Sequence, residues 1–73
     1  MLSLMQNAIT TKNVREGSVV VIRGGFGTER AETVTLTNVE ADIKNGRAGC
    51  DYVDSKGDER WAYLTQIVRV VTY

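Results

Sequence analysis

The chain has no histidine, no proline and a single cysteine in 73 residues. Without an imidazole it lacks the commonest general base near neutral pH, the usual catalytic triads and most zinc sites. A lone thiol, Cys50, closes no intramolecular disulfide and builds no cysteine zinc cluster, which fits a reducing compartment. With proline absent, no strand is interrupted. Nine basic and nine acidic residues cancel to a net charge of zero, which argues against coating a nucleic acid by bulk charge and leaves only a local basic patch. No apolar run approaches the roughly 18 residues of a membrane span. The apolar start Met1–Met5 lacks the basic leader and longer apolar stretch of a secretory signal, so a cytoplasmic protein is expected.

What is present reads as one small folded domain. Hydrophobic residues make up 42% and charged residues 25% of the chain, a balance that supports a packed core and not disorder. At this length the core is barely sufficient and burial must be efficient. Residues 1–13 show weak periodicity and read as an N-terminal arm or short helix. From Val14 onward the punctuation is that of short strands. Val19–Ile22 is a continuous apolar run ending in Gly24-Gly25-Phe26-Gly27, a strand entering a loop with positive φ. Thr33–Thr37 alternates with period two, so Val34 and Leu36 share one face and the threonines the other. Lys44-Asn45-Gly46 supplies a turn, Cys50–Val53 a third strand and Asp54–Asp58 a hairpin loop. Arg60–Leu64 is a fourth strand, Thr65-Gln66 a one-turn connection and Ile67–Thr72 a fifth. The expected core is Val21, Val34, Leu36, Ile67 and Val70.

Five short strands with a helical turn before the last resemble the SH3-like barrel, so the expected fold is an all-β, five-stranded SH3-like barrel over residues 14–73. Within it, Gly17–Val34 resembles the KOW motif of ribosomal and transcription-elongation proteins: a glycine, a β-branched run ending in Ile22, a polar residue, then Gly24 and Gly27 in the loop. A second resemblance runs through the whole chain. Gly25-Phe26-Gly27, Asp42–Gly46, Asp51-Tyr52, Arg60–Tyr63 and Gln66-Ile67 are similar to small proteins encoded by tailed bacteriophages. That resemblance implies expression in the cytoplasm of an infected bacterium, with a host protein, a nucleic acid or a nucleotide-like defence signal as partner.

The residues themselves favour a binding module over an enzyme. Cys50 lacks an imidazole partner and reads as a small core residue. Asp51, Asp54, Asp58 and Glu59 cluster at one hairpin without a calcium-loop spacing, so turn chemistry explains them better than a metal site. No cofactor or metal is expected. The sharpest local candidate is Arg23-Gly24-Gly25-Phe26-Gly27 with Arg30. Its glycines either expose backbone N–H groups to an anion, with arginine charge and a Phe26 stacking face, or serve backbone geometry alone. Trp61 and Tyr63 lie two apart on one strand and share a face, with Tyr52 expected across from them on the next strand. Turned inward they are core; turned outward, with Arg60 and Arg47 nearby, they form a platform for bases, phosphates or an acidic peptide. Ala62 and Leu64 offer a second inward face, which favours a mixed case. The expected ligand surface therefore joins the Arg23–Arg30 loop to Tyr52, Arg60, Trp61 and Tyr63, and the expected ligand is anionic, a nucleic acid or nucleotide-like molecule. The alternative is a factor that inhibits or remodels a host complex, as a homo-oligomer joined through strand edges.

Overall fold

A computed structural model describes residues 9–73. Its strands are β1 (Val19–Arg23), β2 (Ala31–Lys44), β3 (Arg47–Val53), β4 (Glu59–Tyr63) and β5 (Ile67–Thr72), with a one-turn 3₁₀ helix at Leu64–Gln66. They form one antiparallel sheet in the order β4-β3-β2-β1-β5, the connectivity of the SH3-like barrel. β2 makes closure feasible because it serves both halves. Ala31–Thr35 pairs with β1, and Leu36 onward pairs with β3. A register shift between Leu36 and Asn38 bends the strand at the changeover, as a bulge does.

The core follows from period-two alternation on these curled strands. Val20, Ile22, Val34, Leu36, Cys50, Tyr52, Ala62, Leu64 and Ile67 point inward, and Val14, from the segment before β1, is buried with them. Thr33, Thr35 and Thr37 face outward, as the alternation predicts. Val21 does not belong to this core. It is only half-buried, while its neighbours Val20 and Ile22 are fully enclosed. An unbroken run such as Val19–Ile22 carries no parity, so only the pairing of Val20 with Val34 decides which residues turn in. Val70 is half-buried and packs against the core from its rim.

Turns fall where their chemistry places them. Asn45 and Gly46 both take positive φ, 57° and 73°, the twist that a two-residue hairpin connection requires. Asp54 builds the β3–β4 turn: its Oδ1 accepts from the backbone N–H of Lys56 at 2.9 Å and of Asp58 at 3.0 Å. The arm expected over residues 1–13 lies mostly outside the described residues. Its described end forms a turn, with Asn13 Oδ1 accepting from the Thr10 N–H at 2.7 Å.

Burial pushes the Cys50 thiol up to about 12, so it is protonated and enclosed at any ordinary pH. A chromogenic disulfide reagent at pH 8 is expected to leave the native protein unmodified and to titrate one thiol after denaturation; rapid native labelling would show the strand to be open.

Candidate functional site

The β3–β4 register sorts the aromatic residues onto two faces. Tyr52 pairs with Arg60 and Cys50 with Ala62, whereas Asp51 stands opposite Trp61 and Gly49 opposite Tyr63. Tyr52 is thus an inner-face residue, 1% exposed, and does not lie across from Trp61. This register corrects the expected placement of Tyr52 across from Trp61 and Tyr63 and gives the mixed case, with Tyr52 inward and Trp61 outward. Trp61 remains 37% exposed on the outer face, with half-buried Tyr63 beside it.

A third ring arrives from the loop after β1. Phe26 is 72% exposed, and its centroid lies 5.8 Å from that of Trp61 and 6.2 Å from that of Tyr63. Trp61 and Tyr63 meet edge to face at 5.2 Å. Such geometry satisfies the ring quadrupoles. Two cations from the β2–β3 hairpin complete the surface. The Arg47 guanidinium carbon sits 3.9 Å from the Tyr63 centroid and Lys44 Nζ 5.5 Å from that of Trp61. Arg47 also donates to Thr65 Oγ1 at 3.2 Å. Lys44 and Arg47 are register partners on either side of the Asn45-Gly46 turn, so the turn itself brings both charges to one end of the platform.

Phe26 reaches this position through an unusual backbone. Gly25 and Phe26 have φ of 60° and 58°, a left-handed pair that disfavours any residue with a Cβ. Several bonds hold the turn: Thr28 Oγ1 donates to the Gly25 carbonyl at 2.7 Å, the Glu29 N–H to the Gly24 carbonyl at 3.1 Å, and Arg23 Nη1 to the Glu29 carbonyl at 3.3 Å. From the far side, Gln66 Nε2 donates to the Arg23 carbonyl at 2.9 Å. Arg23 therefore braces the loop, while Arg30 is exposed and makes no ion pair among the described residues. Gly27 is exposed, with φ of 95°.

The loop is clamped to β4 by charge. Arg60 Nη1 and Nη2 donate to the two carboxylate oxygens of Glu29 at 2.7 and 2.9 Å, and Asp54 Oδ2 lies 3.6 Å from Nη1. The Arg60 hydrogen bonds hold the Glu29 carboxyl below its ordinary range, and the same pairing raises the Arg60 guanidinium. Backbone hydrogen bonds from Asp58 and Lys56 depress Asp54 likewise. Gly24 permits the clamp: a Cβ there would lie 2.8 Å from Glu29 Oε1 and 2.9 Å from both Arg60 Nη2 and Tyr52 Oη. The buried Tyr52 hydroxyl has no hydrogen-bond partner among the described residues, and burial raises its phenol above the ordinary value.

Phe26, Trp61 and Tyr63 are thus gathered on one surface, and Arg60, Tyr52 and Gly24 converge beneath it. Reading the sequence missed Lys44 and Glu29. Lys44 was detectable as the hairpin partner of Arg47, whereas nothing local marks Glu29, because its partner lies 31 residues away. No family model matches the chain, nor does any curated protein or solved structure.

Proposed function

We propose that the protein is a non-catalytic module that binds single-stranded nucleic acid on the Phe26, Trp61 and Tyr63 surface, with strand phosphates at Lys44 and Arg47. The observation that carries this reading is the cluster of contacting, solvent-facing rings topped by two cations. A ring exposed as fully as Phe26 adds nothing to the core, yet its backbone is held in a disfavoured conformation to keep it there. Aromatic side chains accept unpaired bases by stacking, at about 1–3 kcal/mol per base, and are tolerant of sequence. Paired bases already stack on one another, so a duplex offers this surface little.

Trp61 is the chain's one tryptophan and reports binding directly. Titration with a short oligothymidylate is expected to quench its fluorescence, and a duplex of equal length to do so far less. Because two cations meet the strand, the logarithm of the affinity should fall with that of the salt concentration with a slope of about −1.4, at roughly −0.7 per neutralised phosphate. Absence of quenching, or equal quenching by duplex, overturns the reading.

A second reading has its own support. β5 is an edge strand, and Val68 and Val71 on it, followed by Tyr73, are about half exposed, an apolar edge that other strands can pair with. Self-association or capture of a host protein there would appear as a concentration-dependent mass that salt does not reduce.

A further inference from the structure

We propose that Arg60, the Tyr52 hydroxyl and the bare backbone of Gly24 form a phosphate site, which Glu29 occupies in the free protein and which a phosphate group of the ligand takes over. The inference rests on the preceding reading for its ligand and deepens it by fixing where a phosphate binds besides those at Lys44 and Arg47. Three polar groups converge on Gly24: Glu29 Oε1, Arg60 Nη2 and Tyr52 Oη all lie 2.8–2.9 Å from the point where a Cβ would stand. Only two of them are joined. The planar Glu29 carboxylate spends its oxygens on the Arg60 fork, and the Tyr52 hydroxyl, 1% exposed as a residue, is left without a partner among the described residues. A buried donor in that state calls for an acceptor. A tetrahedral phosphate matches the set: two oxygens take the guanidinium fork, as in bidentate arginine recognition, and a third accepts from Tyr52.

The occupant is able to leave. Glu29 has a side chain 47% exposed and stands on a loop outside the core. Asp54, 3.6 Å from Arg60, stays behind and keeps the guanidinium in place. Its negative charge also favours a singly charged phosphodiester over a doubly charged free phosphate. A cavity of about 270 Å³ lined by Gly25, Phe26, Glu59, Arg60, Trp61 and Gln66 adjoins the site, so a phosphate seated on Arg60 delivers its nucleoside to the stacking rings.

Glu29→Gln removes the competing charge and keeps the shape. With thymidine trinucleotide as probe and Trp61 fluorescence as readout, this variant is expected to bind about tenfold tighter than the parent, the effect of roughly 1.4 kcal/mol. Adding Tyr52→Phe, which keeps the core packing, should remove most of that gain, as should Arg60→Lys, which loses the fork. Inorganic phosphate, followed by the NMR signal of the Arg60 Nε–H, should shift that signal more weakly than the trinucleotide and only in the Glu29→Gln background. If Glu29→Gln binds the trinucleotide no tighter than the parent, or Tyr52→Phe leaves the gain intact, the site is refuted even though stacking survives. If the trinucleotide leaves Trp61 unquenched while inorganic phosphate still shifts Arg60 in Glu29→Gln, the phosphate site stands and the stacking reading falls.

Discussion

Replacing Leu36 by alanine is expected to lower stability by about 2–5 kcal/mol, the range for deleting a buried leucine that leaves a cavity. Leu36 is 1% exposed and sits where β2 passes from β1 to β3, so its side chain is shared by both halves of the barrel. Its backbone is committed as well, with its N–H donating to the Ser18 carbonyl at 2.8 Å and its carbonyl accepting from the Gly17 N–H at 2.9 Å. A domain of 73 residues has a total stability of about 4–11 kcal/mol at the usual 0.05–0.15 per residue. The loss is therefore a large share of the whole, and much of the variant should be unfolded at 37 °C. Urea denaturation followed by circular dichroism checks this. Thr35→Ala, one residue away on the outer face, should change stability by no more than about 0.5 kcal/mol. An unchanged midpoint for Leu36→Ala would remove this residue from the core.

Reversing both hairpin charges, Lys44→Glu with Arg47→Glu, is expected to reduce oligothymidylate affinity by more than about 100-fold while leaving the fold in place. Each reversal removes an attraction and adds a repulsion at the same point, and every 1.4 kcal/mol is tenfold. The stability effect is small because both side chains are exposed and their ring contacts are worth only about 0.5–1 kcal/mol at such sites. Parallel thermal melts and Trp61 titrations separate the two quantities. Wild-type affinity in the reversed variant would show that strand phosphates never approach the hairpin. A melting temperature lowered as far as that of Leu36→Ala would show that Arg47 and Lys44 hold the barrel together.

Much of the fold was legible because its signals are local. The alternation of Thr33–Thr37 fixed the inner face of β2, and the turn residues Asn45-Gly46 and Asp54–Asp58 placed two hairpins. The fifth strand appears with the expected bounds, Ile67–Thr72. β2 runs much further than the alternating stretch, through Lys44, because its second half is stabilised by pairing with β3 and needs no clean pattern of its own. Val21 was misplaced for the opposite reason: in four consecutive apolar residues every parity looks equally good until a partner strand selects one.

The candidate site divides along the same line. From the sequence alone it follows that Trp61 and Tyr63 share a face, that the loop after β1 carries positive φ, and that histidine and disulfide chemistry are absent, since each of these depends on composition or on neighbours along the chain. Only the tertiary structure decided that Trp61 points outward while Tyr52 points inward, that Phe26 crosses from its loop to meet Trp61, and that Glu29 fills the space above Gly24 by pairing with Arg60. These are contacts between strands and loops far apart in sequence, set by the β3–β4 register and by the curl of the sheet, and no local pattern encodes either.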